Sequence, residues 1–220
     1  MNMKPSAIRW IALLVGVYIT LQLIADACAS KIIALGDVTM PAGTFVFALT
    51  FTWRDLLHKR LGKTWAKAAI WTAAVANIIM ALYFQLAIQL PSAPFWSNQD
   101  AFASVLSAVP RITFASILAE LVSELVDTEV YHFFSLRTST VNQWMRVLVS
   151  NAVSTPIDSA LFAIVAFGGT LPAAAMLSVA VGQVLYKFAV AIFSLPLIYF
   201  IPEGGKPESN EGPQSVRAVA

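Results

Sequence analysis

Apolar and polar positions divide this chain into long apolar runs separated by short polar connections. Runs long enough to cross a bilayer lie at about Ile8–Cys28, Pro41–Leu57, Lys67–Leu90, Ser104–Val126, Met145–Phe167 and Leu171–Ile201. A span needs about 20 apolar residues at a rise of about 1.5 Å each, so the pattern predicts six transmembrane helices. Their length and number exclude the buried helices of a soluble domain. Pro41, Pro91, Pro94, Pro110, Pro172 and Pro202 fall at or near run ends, where a missing N–H does least harm. Pro156 and Pro196 fall inside runs and predict kinks. The expected fold is an all-α integral membrane protein. One six-helix domain covers residues 1–202, and a Gly-, Pro- and polar-rich tail at 203–220 reads as disordered.

Composition agrees with that class. Of 220 residues, 58% are hydrophobic and 12% charged, and the mean hydropathy is +0.73. A soluble domain carries about 25% charged residues, so most of this surface does not face water. With the N-terminus inside, eleven of the fourteen Lys and Arg residues fall in cytoplasmic segments and only Lys31 falls outside. That bias predicts both termini in the cytoplasm of a cell (inner) membrane protein. The stretch Ala25–Ser30 resembles a signal-peptide or lipoprotein cleavage site. Asp26 would be unusual there, and small residues also suit a retained, closely packed first helix, which is the expectation. The single Cys28 implies no disulfide, and the lack of a basic run with aromatics argues against nucleic-acid binding.

Chemistry enters through the polar residues inside the helices. An ionised side chain near the bilayer centre costs at least about 3 kcal/mol, so it is kept where it meets a partner or a watery cavity. In the fourth run Thr113, Ser116, Glu120, Glu124 and Asp127 follow one another at helical spacing along one face. The fifth carries Asn151, Ser154 and Asp158, the sixth Gln183 and Lys187, the first Tyr18, Gln22 and Asp26, and the third Asn77, Gln85 and Gln89. Glu120, Asp158 and Lys187 form the expected central set of a substrate cavity. Asn151, Glu124, Asp26, Gln22 and Gln183 are further candidate ligands, and Lys187 is expected to pair with an acid. The plainer readings are a purely structural ion pair for Lys187 and a solvated helix end for Glu124 and Asp127. Paired polar positions in the first and third helices of each half fit three-plus-three inverted repeats. Arg111 belongs near the outer interface, and His58 and His132 near solvated helix ends. No catalytic motif, metal cluster or cofactor-binding motif accompanies these residues, so a transporter is expected rather than an enzyme.

Three segments then resemble a known family. They are RITFASILAELVSELVDTEVYHFF (Arg111 to Phe134), MRVLVSNAVSTPIDSALFAIVAFGG (Met145 to Gly169) and ADACASKIIALGDVTMPAGTFVFALTFTWRDLLHKRLGK (Ala25 to Lys63). In order and topology they are similar to the queuosine precursor transporter family, also described as vitamin uptake transporter-like. The chain departs from that pattern at His58–Gly62, where an acid and Tyr-Gly are common, and at Glu124, where Gln is common. The resemblance implies six helices and import of 7-deazaguanines such as the 7-cyano or 7-aminomethyl form, or queuine. For such a ligand a carboxylate would accept from the adjacent N–H and amino groups. Lys187, Asn151 or Gln183 would donate to its oxo group, and Phe114, Phe162 or Tyr186 would stack on its ring. The expected partners are this purine analogue, membrane lipid, and a second copy or a separate energising module. Proton coupling through Glu120 or Asp158 is the expected drive. The alternatives are the membrane-bound substrate-capture subunit of an energy-coupling-factor vitamin importer, docking its partner on Ala173–Ala175, and a non-transporting scaffold.

Overall fold

Most of each apolar run is helical in a computed structural model, which describes residues 5–61, 63–137 and 143–200. The second run begins in a strand and the fourth at the end of a separate short helix. The order is α1 (Pro5–Cys28), β1 (Ile32–Leu35), β2 (Val38–Pro41), α2 (Thr44–Leu61), α3 (Lys63–Gln89), α4 (Gln99–Leu106), α5 (Val109–Arg137), α6 (Gln143–Phe167) and α7 (Ala173–Phe200). Among the described residues four stretches are long and apolar enough to span a bilayer: Ile8–Cys28, Thr64–Gln89, Gln99–Ser123 and Ala173–Phe193. The apolar part of α6, Asn151–Phe167, is shorter, and α2 runs into the charged sequence RDLLHKR. The tail 203–220 lies outside the described residues.

Helix α1 packs on α2 and α3, α5 on α6, and α6 on α7, while α2–α7 and α3–α5 contacts join the two groups. Contacts within the bundle use small residues. Ala66, Ala69 and Ala73 of α3 close on Tyr18 and Leu57 at one end, and Ala115, Ala119, Ala163 and Ala166 bring α5 and α6 together near the other. Small side chains let helix backbones approach where lipid supplies no hydrophobic drive between helices. The outward face is the reverse: Trp71, Ile79, Leu82 and Tyr83 of α3 are all more than 60% exposed. A contiguous apolar surface of that kind suits lipid and not water.

Two features were not anticipated. Helix α4 precedes α5 as a separate short element. Between α1 and α2 stands an antiparallel hairpin, with Leu35 opposite Val38 and Ile32 opposite Pro41. Its two-residue turn is Gly36–Asp37. Gly36 has φ +61°, and no residue other than glycine has positive φ among the described residues. That combination is the type II′ geometry that matches strand twist. The strand β2 lies across α7: Thr39 Oγ1 is 2.7 Å from Ser178 Oγ, and a Cβ on Gly182 would collide with the Thr39 carbonyl. Similarly, a Cβ on Gly43 would collide with the Ala25 carbonyl, so glycine sets how closely α2 begins beside the end of α1. These two contacts fix the hairpin and the start of α2 against α7 and α1.

Replacing Gly182 by Val should therefore push β2 off α7. In detergent the variant is expected to melt at least about 5 °C below the parent, given about 2–4 °C per kcal/mol at this size. Gly16→Ala is the control, because nothing lies within 4 Å of its added Cβ. Equal melting of both variants would show that the hairpin contact contributes nothing.

Candidate functional site

Asp158 and Lys187 meet inside the bundle. Asp158 is nine residues before the end of α6 and Lys187 fourteen after the start of α7, depths of about 14 and 21 Å at a rise of about 1.5 Å per residue. Lys187 Nζ donates to Asp158 Oδ2 at 2.5 Å, and the two side chains are only 4% and 7% exposed. Ser159 Oγ lies 3.3 Å from the ammonium, and the Phe47 ring centroid lies 5.0 Å from it. Ser123 of α5 donates to Asp158 Oδ1 at 3.4 Å. A buried pair tolerates its desolvation only when further groups satisfy both ions, and α2, α5 and α6 each contribute one here.

Beside the pair opens a cleft whose empty space, counting its open mouth, is about 350 Å³. Helix α1 contributes Ala25 and Asp26, the turn after it Ala29, and the β2–α2 junction Pro41, Gly43, Thr44 and Phe47. Ser116 and Ala119 come from α5, Asp158 and Phe162 from α6, and Gln183 and Lys187 from α7. Asp26 Oδ1 accepts from Ser116 at 2.8 Å. Its other oxygen, Oδ2, and Gln183 Nε2 are buried without a hydrogen-bond partner among the described residues. Leaving such an atom unpaired costs about 1–3 kcal/mol, so water or a ligand that pairs with these two is favoured there.

Of the eight residues singled out from sequence, Asp26, Asp158, Gln183 and Lys187 line this cavity. Glu120 stands apart from its wall, with Oε1 4.0 Å from Arg54 Nη1 of α2. The reason is angular. Residues advance about 100° around a helix, so relative to Ser116 Glu120 is rotated by about +40°, while Ala119 and Ser123 are rotated by about −60° and −20°. The latter two face the cavity and Asp158, and Glu120 turns toward α2. Gln22 is buried one turn from Asp26 and donates to Tyr18 Oη at 3.1 Å. Asn151 is half-buried on α6, about two turns from Asp158. The side chain of Glu124 lies outside the described residues.

Among the aromatics proposed to stack on a ligand, Phe162 lines the wall. Phe114 is 61% exposed on the outer surface, and Tyr186 packs edge-on against Phe45 at 4.8 Å. Phe47, Thr44 and Gly43 were missed. The Pro-Ala-Gly turn ahead of α2 was the available signal, because it places the helix start where a chain enters from a hairpin. Arg111 caps the end of α6, its Nε donating to the Val165 carbonyl at 2.7 Å and its guanidinium also to the Gly168 carbonyl. These are carbonyls that a helix end leaves unpaired, and a cation at that end is favoured.

A helical membrane protein with a polar cavity between its helices has the build of a small-molecule carrier. Residues 41–201 match the family described as "Putative vitamin uptake transporter", and the chain belongs to that family of membrane transporters. It is thus a transporter and not an enzyme. The "Probable queuosine precursor transporter" of Bacillus subtilis (strain 168) is 29% identical over 180 residues, 80% of this chain and 79% of that protein. No solved structure matches the chain. The family match begins at Pro41, so α1 brings Asp26 into the cavity from outside the matched segment.

Breaking the central pair has a calculable consequence. Asp158→Asn leaves a buried ammonium unmatched and should destabilise the protein by about 3–5 kcal/mol. Asp158→Asn combined with Lys187→Met removes both charges and should recover much of that loss. Melting of the two single variants and the double variant in detergent measures the coupling. Additive losses would mean that the two charges do not stabilise each other.

Proposed function

We propose that this chain imports 7-deazaguanine precursors of queuosine, such as the 7-cyano or 7-aminomethyl form or queuine, across the cell (inner) membrane. The observation that carries this reading is the cavity beside Asp158 and Lys187. It is walled by Phe47 and Phe162 and holds, among the described residues, one acceptor and one donor without a protein partner. A flat heteroaromatic ring with polar edges suits that combination. The name of the Bacillus subtilis relative points to the same substrate class.

The same proposal holds the chain in six passes with both termini cytoplasmic, on the strength of the Lys and Arg distribution. Residues 1–202 form one transmembrane domain, and 203–220 a cytoplasmic tail. The halves α1–α3 and α5–α7 face each other across the cavity, in line with a three-plus-three plan. Protons supply the drive. Asp158 is held by Lys187, so Glu120, 21% exposed and 4.0 Å from Arg54, is the carboxylate better placed to exchange them.

A queuosine-deficient strain lacking its own importer should regain modified tRNA from supplied precursor when it expresses this chain. The purified chain in liposomes should take up precursor when the lumen is made alkaline. Glu120→Gln should retain binding while losing most of the dependence on the pH gradient. Uptake only after adding an ATP-driven module would replace this reading with the substrate-capture subunit. No thermal stabilisation by any deazaguanine would leave the scaffold.

A further inference from the structure

Within the cavity the polar atoms divide into those already matched and those left open. The Lys187 charge is taken by Asp158, Ser159 and the face of Phe47. Among the described residues lining the cavity, Asp26 Oδ2, an acceptor, and Gln183 Nε2, a donor, have no hydrogen-bond partner, on residues that are each only 3% exposed. Asp26 Oδ1 accepts one bond from Ser116 and, as a carboxylate oxygen, has a second lone pair to offer.

Resting on the transport reading above, we infer that Asp26 and Gln183 set specificity within the cavity, selecting a fused pyrimidine ring that carries a 2-amino group beside a lactam. The Asp26 carboxylate accepts from the lactam N–H and the neighbouring amino group together. Gln183 donates to the adjacent oxo group. The three ligand groups run donor, donor, acceptor along one edge, and the two protein groups offer acceptor, acceptor and donor. A hypoxanthine-type ring lacks the amino group and leaves one carboxylate lone pair unmatched. An adenine-type ring is rejected, because a ring nitrogen acceptor faces the carboxylate and an amino donor faces the Gln183 amide. A site built to bond a particular polar group discriminates strongly against analogues that lack it.

The test uses the full-length purified protein and three probes: 7-deazaguanine, 7-deazahypoxanthine and 7-deazaadenine. Equilibrium binding to the wild type should fall about 10-fold or more with each step, since one hydrogen bond to a charged group is worth that factor. Asp26→Asn offers one acceptor and one donor in place of two acceptors, which matches the adenine ring nitrogen but leaves the Gln183 donor against the 6-amino group. It should weaken 7-deazaguanine by about 10- to 100-fold and reduce its advantage over 7-deazaadenine by at least about 10-fold. Gln183→Leu leaves the carboxylate in place and serves as the second arm even where Asp26→Asn does not fold. It should weaken both oxo ligands alike, by about 10-fold, and keep the preference for the amino group at its wild-type value. An Asp26→Asn protein with wild-type selectivity, or a Gln183→Leu protein with wild-type affinity for both oxo ligands, overturns the assignment. Failure of the wild type to bind any of the three probes overturns the transport reading instead.

Discussion

The buried pair between Asp158 and Lys187 constrains everything else in this bundle. Two ions this far from water need each other and need further polar contacts, or they would be neutral or absent. Meeting at 2.5 Å sets how α6 and α7 lie against each other. Ser123 approaching Asp158 locates α5, and Phe47 facing the ammonium locates α2. Four helices are thereby registered on one point, and the cavity is the space their side chains leave beside it. Because the pair satisfies itself, Asp26 remains as a carboxylate in the wall with an oxygen unmatched.

The hairpin imposes the second constraint, through backbone rather than charge. Laying β2 on α7 at Ser178 and Gly182 holds the paired strands against the bundle. It also fixes where Pro41, Gly43 and Thr44 reach the cavity. Larger side chains at Gly43 or Gly182 would hold these segments apart, so two residues with no polar function shape a polar site.

Much of this was legible in the sequence and some was not. The six apolar runs mark the helices because length and hydropathy are local properties. The Asp158–Lys187 pair was foreseeable in kind, since a mid-helix ammonium requires an acid, although several acids were available. The hairpin was legible too: Gly36–Asp37 between IIAL and VTMP is a two-residue turn signal flanked by strand-forming residues. A short connection between two spans invites the reading of a simple loop, and that prior obscured it. The meeting of Asp26 with Ser116, ninety positions apart, has no local signal at all. Nor could a one-dimensional stripe show that Ser116 and Glu120 diverge by about 40°, which sends one to the cavity and the other toward Arg54.

Under the proposed proton-driven import, that divergence separates two tasks which a single polar stripe would have merged. One carboxylate both holding the ligand and taking up the driving proton would release the ligand whenever it gained that proton. On α5 the ligand side is served by Ser116, which orients Asp26. The next turn presents Glu120 to Arg54, outside the cavity wall. The two carboxylates are joined through one rigid helix and do not share a pocket. A ligand that pairs with both Asp26 Oδ2 and Gln183 Nε2 stabilises the protein as it binds. In the proposed mechanism holding belongs to the cavity, and release follows from a change outside it, at the Arg54–Glu120 contact between α2 and α5.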